Sequence, residues 1–155
     1  MLEYDFEQSV GFWLTVATQT YHRALQNELA PQGITFRQSQ VLGWLMREKD
    51  ISQVDLAARM MIEAPTLAGV LDRMERDGMI IRRNCTADRR RKLVGLTAKA
   101  VPMWEKIVDC LERTRKRAVD GLTDQERALL QRLLCRVQDN LLPYVNETVD
   151  TKRVH

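Results

Sequence analysis

Six cations stand within eleven residues of this chain: Arg82, Arg83, Arg89, Arg90, Arg91 and Lys92, opposed in that stretch by Asp88 alone. The whole chain of 155 residues carries only +3, from 24 Lys and Arg against 21 Asp and Glu, so the remainder is net negative. Guanidinium groups gathered on one short segment suit a local contact with a polyanion rather than general stickiness. Other chemistries lack their residues. Two histidines, His22 and His155, and three widely spaced cysteines, Cys85, Cys110 and Cys135, give neither a His-rich metal centre nor a disulfide framework. There is no Gly-rich phosphate loop and no clustered set of acid, base and nucleophile, so an enzyme is not expected and no cofactor is implied. No apolar run approaches the ~18 residues that span a bilayer. The first residues are acidic where a secretory leader needs cations, so the expectation is a cytoplasmic protein with no membrane partner.

The elements that must carry this cluster are mostly helical. Apolar residues are 45% of the chain, enough for a core, and Gly and Pro are few. Phe6, Val10, Trp13, Ala17, Tyr21 and Ala24 recur at steps of three and four, which predicts one long helix from Phe6 to near Leu29, stopped by Pro31 and Gly33. A second helix is expected from Arg37 to Arg47 with Thr35 as its N-cap. Ser52 with Asp55 three residues on opens a short helix over Gln53 to Met60. Pro65 sits where another helix begins, and Gly78 is its left-handed stop, which gives a helix from Pro65 to Asp77. Two short helices about four residues apart have helix-turn-helix spacing. The period then changes: Met79 to Ile81 and Leu93 to Leu96 are β-prone and flank the basic stretch, predicting a two-stranded hairpin with an Arg-rich tip. Helix-turn-helix plus hairpin is a winged helix, so the fold class is mostly α with a small β wing.

Both ends are long amphipathic helices. Thr97 is expected to cap one running to about Val119, with Pro102 bending it or delaying its start. Thr123 and Glu126 form a capping box for the last helix, whose Leu130, Leu134, Val137, Leu141 and Tyr144 make a seam of coiled-coil type. The tail after Asn146 is polar. Residues 1–32 and 98–155 therefore read as dimerisation helices around a DNA-binding lobe at 33–97. The apolar ends either fold back on their own lobe or interlock with a second copy. Pairing places two reading heads one DNA turn apart, ~34–36 Å.

The stretch Gly33-Ile34-Thr35, the segment Val54-Asp55-Leu56-Ala57, the run Leu71-Asp72-Arg73-Met74-Glu75-Arg76-Asp77-Gly78, the wing Asp88-Arg89-Arg90 and the closing Leu96-Thr97 resemble the MarR family of bacterial transcriptional regulators in order and spacing. Ile62-Glu63-Ala64-Pro65-Thr66-Leu67, the segment from Cys85 to Lys92 and that from Leu96 to Pro102 are similar to the SlyA branch. The likeness runs from Val10 to about Tyr144 and is most specific from Val54 to Thr97. It implies a homodimeric winged-helix protein on pseudo-palindromic promoter DNA, a repressor or an opponent of nucleoid silencing, released by a small phenolic or aromatic acid.

On this reading the helix from Pro65 enters the major groove, with Pro65, Thr66, Ala68, Gly69 and Arg73 outward. Thr66 offers a hydroxyl and a methyl to base edges. Gly69 departs from the SlyA-like arginine that would grip guanine, either shifting the bases read or serving close helix packing. Arg73 faces DNA or pairs with a carboxylate of the protein. Asp88 orients Arg90 into a narrow minor groove, and Arg89, Arg91 and Lys92 serve phosphates. Thr35, Arg37 and Gln38 meet phosphate at a helix start. The family's effector cleft points to Trp13, Tyr21, His22, Arg23, Trp44 and Trp104, aromatic walls with a cation. Each, taken separately, also reads as core filling. His22 stands where SlyA-like relatives often have arginine, which makes carboxylate binding weaker or pH-dependent. Alternatives are a regulator that needs no ligand, one responsive to oxidation at Cys85, and a helical adaptor for an acidic protein. The family's peroxide sensors rely on a cysteine near the N-terminus, and this chain has none before Cys85.

Overall fold

The computed structural model of the protein describes residues 5–85 and 91–147. Six α-helices and three strands make up the described chain: α1 (Val10–Leu29), α2 (Phe36–Glu48), β1 (Asp50–Ser52), α3 (Gln53–Arg59), α4 (Ala64–Arg76), β2 (Ile80–Asn84), β3 (Lys92–Leu96), α5 (Ala100–Ala118) and α6 (Asp124–Glu147). The mostly helical winged-helix class expected from the sequence is what forms. None of these helices is long and apolar enough to cross a membrane.

Local chemistry sets the boundaries. α1 starts at Val10 rather than Phe6, because the Asp5 carboxylate accepts the N–H groups of Glu7 and Gln8 in a turn and Ser9 then accepts from Phe12. A 3₁₀ turn over Ala30–Gln32 and a left-handed Gly33 end that segment. α2 opens with a full capping box: Thr35 Oγ1 accepts from Gln38 N, and Gln38 Oε1 accepts from Thr35 N. Pro102 lies in the first turn of α5, where its missing N–H would be unpaired in any case. Thr97 is not the cap of that helix. Its hydroxyl donates to the carbonyls of Gly78 and Met79, and so pins the end of α4 to the end of β3.

The wing has three strands where two were expected. β3 lies in the middle, antiparallel to both neighbours, with Ile51 opposite Val94 and Arg82 opposite Val94 on the other side. A three-residue strand directly before a capping serine is too short to show alternation in sequence. Its burial comes from the pairing, which puts Ile51 under 5% exposed beside a fully buried Val94.

The core of this unit joins Leu25 and Leu29 of α1, Val41, Leu42 and Leu45 of α2, Leu56 of α3, Leu67, Leu71 and Met74 of α4, Ile80, Val94 and Ile107. α1 is tied to its neighbours by polar bonds as well. Gln26 Oε1 accepts from Phe36 N at 2.7 Å, and the Glu28 carboxylate accepts from Arg113 Nε of α5 at 2.8 Å. The chain divides into two compact units, one ending at Arg115 and one beginning at Lys116. In the second unit the Thr123 and Glu126 box caps α6 as expected. Leu129, Leu130, Leu133, Leu134, Leu141 and Tyr144 of α6 are each at least 44% exposed.

Candidate nucleic-acid interface

α4 follows α3 after four residues, and the turn between them ends α3 tightly. Met61 N donates to Ala58 O and Ile62 N to Ala57 O, a Schellman pair with Met61 at φ +50°. The helix that follows has distinct faces. Leu67, Val70, Leu71 and Met74 are buried against the core. Pro65, Thr66, Arg73 and Arg76 are exposed, and Gly69 lies between them half-buried.

The start of α4 is open. Glu63 is its N-cap without a side-chain bond, so no side chain among the described residues caps the first N–H groups, Thr66 among them. Those groups carry the positive end of the helix dipole and sit beside the Thr66 hydroxyl. Arg73 makes no ion pair among the described residues and is exposed, so of its two alternatives the carboxylate partner is absent. A Cβ added at Gly69 would meet nothing within 4 Å, so close packing does not require the glycine. Arg76 shares this face and was missed by sequence reasoning, although its spacing of three from Arg73 could have shown it. Ala68 sits to the side, half-buried, and its carbonyl accepts from Arg82.

The basic cluster proves largely internal in its described part. Arg82 pairs with Asp72 and Glu75 of α4, Arg83 with Asp50 of β1, and Arg91 with Asp55 of α3. Arg91 also donates to Ser52 Oγ at 3.0 Å, so it ties the β2–β3 ribbon to the cap of α3. Lys92 bonds Asn84 across the ribbon. Gly95 lets the Asp50 carboxylate lie close over β3, since a Cβ there would come within 2.7 Å of Asp50 Oδ1. Asp88, Arg89 and Arg90 lie outside the described residues. At the α2 start, Phe36 and Gln38 have their N–H groups taken by Gln26 and Thr35, so a phosphate would meet mainly Arg37, whose side chain is exposed and bonds Gln40. Gln38 is 8% exposed and committed to the capping box.

The six effector candidates fall on α1, α2 and α5. Tyr21 and His22 touch, and His22 stacks on Phe36 with centroids 4.2 Å apart. Trp13 packs edge-on against Phe12 and donates Nε1–H to Glu7 O. Trp44 lies under the guanidinium groups of Arg47 and Arg59, and Trp104 packs over Gly43 of α2. Arg23 is exposed. A groove of about 380 Å³ between the end of α2 and the sheet is lined by Met46, Lys49, Asp50, Ile81, Arg83 and Leu96, and by none of those six. Cys85 is half-buried beside the ribbon, Cys110 is buried, Cys135 is exposed, and all three are free thiols.

A helix with an open, polar N-terminus, following a second helix across a tight turn and backed by a three-stranded ribbon, defines a winged helix-turn-helix protein. Residues 32–91 match the MarR family model. Solved structures extend the likeness across the chain. BpsR of Bordetella bronchiseptica, described for regulation of its DNA binding by 6-hydroxynicotinic acid, is 28% identical with a TM-score of 0.80, over 89% of this chain and 99% of that one. A cysteine-to-serine mutant of MarR from E. coli, complexed with operator DNA, is 27% identical with a TM-score of 0.77, over 83% and 92%. A probable transcriptional regulator from Pseudomonas aeruginosa is 28% identical with a TM-score of 0.78, over 86% and 99%. Over residues 32–91 in sequence and over most of the chain in fold, the protein is similar to DNA-binding transcriptional regulators of the MarR family.

Proposed function

We propose that the protein binds a pseudo-palindromic promoter site as a homodimer, acts there as a repressor or anti-silencer of the SlyA-like kind, and is modulated by a small aromatic acid. The observation that carries this is the exposed face of α4, where Thr66, Gly69, Arg73 and Arg76 follow an uncapped helix start. Pro65, Thr66, Gly69 and Arg73 read the major groove, while Thr35, Arg37, Arg89 and Lys92 meet phosphate and Arg90, oriented by Asp88, enters the minor groove. Gln38 in its capping box, Ala68 through its carbonyl bond to Arg82, and the half-exposed Arg91 through its ion pair with Asp55 support these contacts. Residues 33–97 form the reading lobe, and 1–32 and 98–155 the dimerisation helices. The exposed leucines of α6 favour pairing over folding back. The aromatic-acid reading rests on the resemblance and on the regulation of BpsR by 6-hydroxynicotinic acid. Trp13, Tyr21, His22, Arg23, Trp44 and Trp104 remain its candidate contacts, in the cytoplasm with no cofactor.

The test is a salt titration of binding to random and promoter duplexes. Affinity should fall steeply with salt as counterions are released. Arg90→Ala should weaken promoter binding while the dimer stays folded. Parental affinity in that variant would overturn the wing assignment, and a competition screen with aromatic acids decides the effector.

A further inference from the structure

α4 has a third face, between the buried one and the exposed one. Ala68, Asp72 and Glu75 follow each other at steps of four and three, so they line one flank of the helix. Over that flank lies Arg82 of β2. Its guanidinium donates to Asp72 Oδ1 at 2.6 Å, to Glu75 Oε2 at 3.4 Å and to the carbonyl of Ala68 at 3.2 Å. Its backbone N–H donates to Glu75 Oε1 at 3.1 Å. The Arg82 side chain is only 20% exposed, and its Nε is buried without a partner among the described residues.

We propose that Arg82 is the positioning residue that holds the β2–β3 ribbon at a fixed distance and angle from the reading face of α4, so that helix and ribbon meet DNA in register. The inference rests on the DNA-binding reading and adds a specificity determinant to it. Between α4 and β2 the chain turns through a left-handed Gly78, φ +72°, where the Thr97 hydroxyl ties the turn to the end of β3, and Arg82 adds a second tie further along the ribbon. A planar fork gripping three acceptors spread along one flank of the helix fixes orientation as well as distance, which an ammonium does not. The charges argue against a phosphate role. One cation faces two carboxylates, so this cluster is net negative. The carboxylates are 57% and 40% exposed, so the ion pairs add little stability. Geometry is what the cluster supplies.

The experiment uses the full chain and a duplex that the parent protein selects from a random library. Arg82→Gln and Arg82→Lys should each lose about tenfold or more of the preference for that duplex over random DNA. Affinity for random DNA, its salt slope and the melting temperature should stay near parental. Hydroxyl-radical protection should persist beneath α4 and weaken at the flanks. Asp72→Asn, at an exposed side chain that folding tolerates, should lose part of the same preference, and it serves as the test if Arg82 variants fail to fold. Parental preference in Arg82→Lys, or in Asp72→Asn, overturns the proposal. So does a salt slope on random DNA that drops by about one in Arg82→Gln, the mark of a lost phosphate contact. A parent that selects no duplex overturns the DNA-binding reading itself, a different failure.

Discussion

At Met61 the backbone closes α3 through a left-handed residue, the place where glycine is usual, while eight residues on Gly69 sits in a helix interior with open space at its Cβ. The two positions hold opposite residue types from those their backbones favour. A left-handed conformation costs a side chain about 1–2 kcal/mol, and glycine costs a helix about 0.8–1.0 kcal/mol against alanine. Met61→Gly and Gly69→Ala should therefore each raise the unfolding free energy by roughly 1 kcal/mol, read by urea denaturation. The variants should differ in function. Gly69 lies on the face proposed to read DNA, so Gly69→Arg should change the bases selected from a random library, and an unchanged selection would remove Gly69 from that face. Both positions lie in the helix-turn-helix, where local strain is common at sites kept for contact.

Elements here are set by short-range polar devices that titrate or can be deleted. The Glu126 carboxylate accepts from the backbone and hydroxyl of Thr123, and these bonds hold its pKa below the ordinary carboxylate value. A carboxyl depressed in the folded state stabilises above its unfolded pKa, and the contribution is lost as pH falls through the folded value. Helicity of α6 should thus fray on acidification below about pH 4.3, where an ordinary glutamate protonates. Glu126→Gln should flatten that pH dependence in circular dichroism. Such i to i+3 signals are legible in sequence, which is why the Thr35, Ser52 and Thr123 caps, the turn at Gly78 and most helix boundaries follow from it. β1 does not, because its burial depends on pairing with β3, more than forty residues further on. The ribbon arginines fail for the same reason. Their charge is plain in the sequence, but the carboxylates at 50, 55 and 72 that neutralise them are brought near only by the folded register.

For the whole molecule, assembly has a direct test. Leu129, Leu130, Leu133, Leu134, Leu141 and Tyr144 of α6 are exposed, and a patch of that kind on a helix is ordinarily an interface. Leu134→Glu should yield a monomer by sedimentation, with affinity for a two-half-site duplex falling to that for a single half-site. A monomeric parent would remove the two-fold model and leave the winged-helix assignment standing. The engagement of Arg82, Arg83 and Arg91 with carboxylates of the same chain bears on how the intact protein moves through a genome. Sites to be searched vastly outnumber sites to be held, and every guanidinium left bare lengthens each fruitless stop on arbitrary duplex. On the proposed reading, with three of them already paired within the chain, the lobe should let go of wrong sequence sooner, and its dwell time should depend more on α4 than on total charge.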